Sequence, residues 1–189
     1  MTDYTTSKAV LRTAYFTDHV TGKTAIAVEL DAPSYDKAVY TVSSQENYGR
    51  MWLDAVIRVL DRAIYPEFTG NVDIVLISSQ KECAIMAEKI IRMWIKLLGS
   101  KKQTSEKIRA IVAAAGHYHG LPNDDYYAII LEILLKCKDK FAHFSIDAQR
   151  ISTPNTDRVF NLAKNMVAPN YVITKKKKKI VVPPVVQEN

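Results

Sequence analysis

The chain has 189 residues, 48% of them hydrophobic and 24% charged, which suits one globular domain with a real core and falls short of two ordinary ones. No apolar run approaches the ~20 residues of a membrane span, and the opening MTDYTTSK lacks the apolar stretch of a secretory signal. Two cysteines, Cys83 and Cys137, make neither a disulfide framework nor a four-thiolate zinc site, so a reducing intracellular setting, cytoplasmic or nuclear, is expected.

Residues 9–42 read as three strands. AVLRTAYFT is rich in β-branched and aromatic residues, a turn follows over Asp18–Lys23, and TAIAVEL alternates Ile26, Val28 and Leu30 with smaller or polar neighbours. After a break at Asp31–Ser34, KAVYTV supplies the third strand of an antiparallel meander. The period then changes: Met51, Ala55, Val56, Val59, Leu60 and Ile64 recur at helical spacing from Tyr48 to Tyr65, before Pro66 and Gly70. Val72–Ser79 is a nearly continuous apolar run, as in a buried central strand.

Helices are predicted over Glu82–Leu98, Lys107–His117 and Asp124–Lys138; the last has acids in its first turn and lysines in its last, which suits the helix dipole. Ile90, Ile91, Trp94, Ile95 and Leu98 are expected to pack on the sheet. Phe141–Ile146 is a fifth strand. Thr153-Pro154 opens a final helix running to about Val167. The order β-β-β-α-β-α-α-α-β-α predicts a mixed α/β sheet with helices on both faces. Residues 1–168 form the domain, and 169–189 a lysine-rich tail.

The formal net charge of +6 is unevenly placed. Five of the 26 Lys and Arg are Lys175, Lys176, Lys177, Lys178 and Lys179. A second concentration runs from Lys81 through Lys89, Arg92, Lys96, Lys101, Lys102 and Lys107 to Arg109, against three acids, Glu82, Glu88 and Glu106. Lys89, Arg92 and Lys96 fall on one helical face. Polyanions are the natural partners of such patches.

Several phrases come in a telling order: YFTD (Tyr15–Asp18), GRMWLDA (Gly49–Ala55), ISSQ (Ile77–Gln80), the acid-opened segment from Asp124 to Phe144, and NTDRVFNLAK (Asn155–Lys164). Over residues 9–168 the chain resembles the ribonuclease H-like family. The resemblance implies that family's mixed five-stranded sheet. It also implies four carboxylates holding two divalent cations for an in-line phosphoryl displacement. Carried over position by position, Asp18 keeps a carboxylate, whereas Trp52, Ser78 and Phe160 replace the other three. Tryptophan and phenylalanine cannot ligate a hard cation, and a serine hydroxyl carries no charge. Trp52 reads as an apolar plug of the vacated site or as a stacking surface for a base or ribose. Gln80 reads as a group for base edges or a 2′-hydroxyl, or as a polar cap on the following helix.

The reading is therefore a catalytically inactive, ribonuclease H-like protein needing no cofactor. It binds RNA or an RNA–DNA hybrid through the basic helical segment and lysine tail, with little sequence specificity. One alternative is a protein-interaction module that docks by its apolar tail, Val181–Val186. Another is a ribonuclease using magnesium or manganese on a rebuilt set of Asp18, Asp147, just past strand five, and Asp157. His117 and His119 lack a third metal ligand nearby, and His19 and His143 carry no compelling role.

Overall fold

The computed structural model describes residues 6–32, 35–115 and 123–168. Lys175–Lys179, Val181–Val186, His117 and His119 lie outside them. Strand β1 (Ser7–Thr17) turns back on β2 (Thr24–Ala32) through a tight turn in which Gly22 takes φ +69, and β3 (Tyr35–Ser44) continues the meander. Helix α1 (Tyr48–Val59) runs on through a π-helical turn, Leu60–Ile64, into a short α2 (Tyr65–Glu67). The helix thus outlasts Pro66: proline has no N–H to donate, and the widened turn lies just before it. Then come β4 (Asn71–Ser78), α3 (Lys81–Leu98), α4 (Ser105–Ala114), α5 (Asp124–Lys140), β5 (His143–Arg150) and α6 (Pro154–Val167).

The sheet order is β3-β2-β1-β4-β5. β1 is antiparallel to β2, and β2 to β3, while β1–β4 and β4–β5 are parallel. This is the mixed five-stranded α/β sheet that the ribonuclease H resemblance implies. β5 is longer than its apolar stretch, because it pairs with the full length of β4, Asn71 to Ser78. Asp147 therefore lies inside β5, opposite Val75, and not beyond its end.

Two layers of helix cover the sheet unequally. Leu11, Ile26, Val28, Leu30, Ile74 and Leu76 face the large core beneath α1, α3 and α5. Ala14, Ala25 and Ala27 face α6, where they pack with Val159 and Ala163. Alanines on that side let a single helix sit close to the strands. The alternation of large and small residues in TAIAVEL is thus a division between a thick face and a thin one. On α3, Ile90 and Trp94 are buried, but Ile95 and Leu98 are 62% and 41% exposed.

One buried charge sits under α6. Glu29 of β2 is fully buried, yet Arg12 of β1 donates to it at 3.0 Å and Arg158 of α6 donates to its other oxygen. Arg12 also reaches Asp31 at 2.7 Å. Hydrogen bonds to a charged group are worth ~1.5–3 kcal/mol each. Arg12→Leu takes one guanidinium from Glu29 and leaves Arg158, so it is expected to destabilise the fold by roughly 2 kcal/mol. Arg58→Ala, which removes the surface pair with Asp54 in α1 and the contact of the guanidinium with the Tyr40 ring, should cost about 1 kcal/mol. Urea unfolding midpoints of the two variants test the contrast.

Candidate nucleic-acid interface

The strand crossing at which the resemblance places a metal site is closed by neutral side chains. The last β1–β4 pair is Arg12 with Ile77, so the β1 residue beside Ser78 is Thr13. The buried Ser78 hydroxyl donates to the Thr13 carbonyl at 2.8 Å. β4 stops there and β1 continues to Thr17. The Gln80 amide takes the place of the missing strand. Its Nε2 donates to the Tyr15 carbonyl at 2.8 Å, and the Tyr15 amide donates to its Oε1 at 2.7 Å. Gln80 is neither a group held out for base edges nor a side-chain cap on α3. Cys83 lies under it, with Sγ 3.8 Å from Gln80 Oε1, and burial pushes that thiol up to about 12.

Asp18 does not belong to this crossing. It lies five residues beyond Thr13, ~16 Å along an extended strand. There its carboxylate organises the β1–β2 turn, accepting from Thr21 Oγ1 at 2.7 Å and the Val20 amide at 3.0 Å. Those bonds hold its pKa below the ordinary carboxylate value. Asp147, level with Val10 of β1 through Val75, is ~26 Å from Asp18 by the same measure. Asp157 is exposed in the first turn of α6. The structure does not bring Asp18, Asp147 and Asp157 together. Among the described residues no three His, Cys, Asp or Glu side chains form a metal-sized group.

Trp52 is fully buried in the large core, and its Nε1 has no hydrogen-bond partner among the described residues. It fills space and offers no face for stacking. Phe160 lies across the sheet from it, on α6, with its ring edge-on to that of Phe16 and the ring centres 5.9 Å apart.

The basic segment divides into three. Lys89 is buried at 6% exposure, with its ammonium 4.6 Å from the centre of the Tyr127 ring, and desolvation lowers its pKa. It lines one hollow with Arg92 and Lys96, but Tyr127 of α5 lies over its ammonium, so it is not an exposed cation as they are. Arg109 lies beside a hollow that also holds Asp124, Asp125 and Glu132. Lys81, Arg92, Lys96, Lys101, Lys102 and Lys107 are exposed, and none makes an ion pair among the described residues. They follow α3, its link to α4, and the first turn of α4.

A cleft that sequence reasoning missed opens where α1, α3 and α5 begin. Asn47, Tyr48 and Gly49 line it from α1, Glu82, Met86 and Lys89 from α3, and Asn123 and Asp124 from α5. Asn47 Oδ1 caps α1 through the Gly49 amide at 2.8 Å. The Tyr48 ring stacks on Tyr15, with centres 4.5 Å apart and planes inclined by 15°. Burial, with Glu82 nearby, pushes Tyr15 up to about 12. The sequence signal was an asparagine before each of two helices, which marks caps but not their convergence.

No family model matches the chain, and no curated protein sequence matches it significantly. Among solved structures, the prototype foamy virus protease–reverse transcriptase aligns at 10% identity over 89% of this chain, with TM-score 0.46. NurA bound to dAMP and manganese aligns at 14% identity over 94% of this chain, with TM-score 0.25. The alignments span 21% and 43% of those proteins.

The closed crossing has a signature in alkali. Cys83 at about 12 and Cys137 at about 11 both lie above the ordinary 9.0. The folded state keeps protons that the unfolded chain loses, so stability is level below pH ~9 and falls as pH rises towards 12. The slope should approach roughly 1.4 kcal/mol per pH unit for each thiol. Urea titrations at pH 7 to 10.5 under reductant should show the decline, and Cys83→Ala should make it shallower. Gln80→Leu, which strands both Tyr15 backbone groups, should cost about 2 kcal/mol at pH 7.

Proposed function

We propose that the protein binds nucleic acid without cleaving it, with RNA or an RNA–DNA hybrid as partner. The observation that carries this reading is the run of exposed, unneutralised cations: Lys81, Arg92, Lys96, Lys101, Lys102 and Lys107. Phosphates attract such a run, and binding releases the counterions condensed on the nucleic acid. Against a nuclease step stand the neutral strand crossing and the distance between Asp18 and Asp147. Lys175–Lys179, outside the described residues, would add charge of the same kind. Cations read backbone and not sequence, so this surface supplies affinity with little base preference.

A protein-interaction reading has one observation in its favour: Ile95 and Leu98, both exposed, flank Lys96. The two readings differ in their response to salt. For RNA, log affinity should fall linearly with log salt. The combined Arg92→Gln, Lys96→Gln and Lys102→Gln variant should weaken every oligonucleotide alike. It should also flatten the slope by about 0.7 for each charge that contacts a single strand. Fluorescence anisotropy with labelled single-stranded RNA, duplex RNA, duplex DNA and hybrid, with magnesium present and cleavage scored on a gel, measures all of this. Salt-independent binding, or none, would refute the proposal. Magnesium-dependent cleavage lost in Asp18→Asn would establish the nuclease instead.

A further inference from the structure

We infer that the cleft between the starts of α1, α3 and α5 is a pocket for the edge of one unstacked nucleobase carrying an exocyclic amine there, as cytosine, adenine and guanine do and uracil does not. The inference rests on the nucleic-acid reading above and specifies what the second surface recognises. The cleft is shallow, about 70 Å³ of cavity within about 630 Å³ that counts the open space at its mouth, so a base would enter by its pairing edge and not be engulfed.

Its lining has the composition a base requires. Tyr48 supplies an aromatic wall held in place by the Tyr15 stack. Ile85 and Met86 supply apolar surface, and Asn47 and Asn123 supply amides that can donate and accept. Glu82 lines the mouth, and its carboxylate makes no hydrogen bond or ion pair with the described residues. Gly49 lets these groups converge. A methyl group there would meet Asn47 Oδ1 at 3.1 Å, Asn123 Nδ2 at 3.5 Å and Met86 Sδ at 3.6 Å.

The charges choose among nucleic-acid parts. Three helix starts favour an anion, but Asp124 offsets the charge of Lys89 and Glu82 adds a further carboxylate at the mouth, so a phosphate would meet net negative side-chain charge. A carboxylate instead accepts from an exocyclic amine, as Glu and Asp do with the N4 amine of cytosine. Uracil presents a carbonyl at the equivalent position, and oxygen facing carboxylate is repulsive. Phosphates are left to the cations of α3 and α4, and the cleft reads the base. A base can enter only when splayed from its neighbours, so single-stranded RNA is the form that uses both surfaces.

Anisotropy titrations with labelled ten-residue oligomers of cytidine, uridine and adenosine, at one salt concentration, test this. Wild type should bind the cytidine and adenosine oligomers at least ~5-fold more tightly than the uridine oligomer, the low end expected for one well-placed base contact. Glu82→Gln, whose amide can face an amine or a carbonyl, should bring the ratio close to one and keep the salt slope. Tyr48→Ala should weaken all three roughly fivefold or more through lost stacking. Glu82 is exposed, so its variant remains informative if Tyr48→Ala fails to fold. Equal affinity of wild type for cytidine and uridine oligomers would overturn the pocket and leave the cationic surface standing. A preference that survives Glu82→Gln would also overturn it. Failure to bind any oligomer would overturn the nucleic-acid reading itself.

Discussion

β1 outruns β4, and the arrangement around that mismatch governs what the molecule can do. β4 ends at Ser78, level with Thr13, while β1 continues to Thr17. Four residues of β1 thus lose a strand partner on one side, within a part of the fold that helices cover. Buried backbone groups left unpaired cost free energy comparable to lost hydrogen bonds. The Gln80 side chain resolves this by presenting one donor and one acceptor to Tyr15, as a strand would. A carboxylate could accept from the Tyr15 amide but could not donate to its carbonyl. The crossing is therefore built for an amide at Gln80, and beside it the neutral Ser78 stands where the resemblance implies a carboxylate.

Closing the crossing shifts the polar opening sideways. With Ser78, Gln80 and Cys83 bonded to β1 or to one another, the next polar surface is the cleft beyond Tyr15 and Tyr48. Tyr15 belongs to both: its backbone is held by Gln80, and its ring supports Tyr48. Rigidity at the crossing is thus passed to the wall of the cleft. The buried Glu29 performs a parallel task on the thin face. It ties β1, β2 and α6 together through Arg12 and Arg158, where alanines alone would offer little grip.

Local chemistry was legible in the sequence, and relative placement was not. The start of α6 was readable because Thr153 and Pro154 act within one turn, where the capping box with Thr156 forms. The meander and the parallel strands were readable because strand periodicity and helix periodicity differ. The offset between β1 and β4 was not, since a period of two fixes which face a residue takes and leaves register open. That is why Asp18 seemed to belong to a site whose β1 member is Thr13. Lys89 failed for a related reason: helical spacing groups it with Arg92 and Lys96, but only tertiary packing puts Tyr127 over its ammonium. Gln80 stood out in the sequence as a base-edge group or a helix cap, and its actual partner, the Tyr15 backbone, could be found only once β1 was known to outrun β4.

The distribution of charge makes the two proposed surfaces physically separable. The exposed lysines and arginines of α3 and α4 act through long-range attraction, which salt screens over ~10 Å at 0.1 M. The cleft acts through contact, where a carboxylate, two amides and an aromatic wall discriminate by geometry, and salt screens such partly buried groups much less. An anionic base pocket beside a cationic track also limits its own misuse. In the proposed binding mode, phosphates would be drawn to the track and repelled from Glu82, so the backbone would be steered outside and the base inward. The acids that weaken the site for phosphate are thus what give it direction, and a uniformly basic cleft would bind either part of the strand in either orientation.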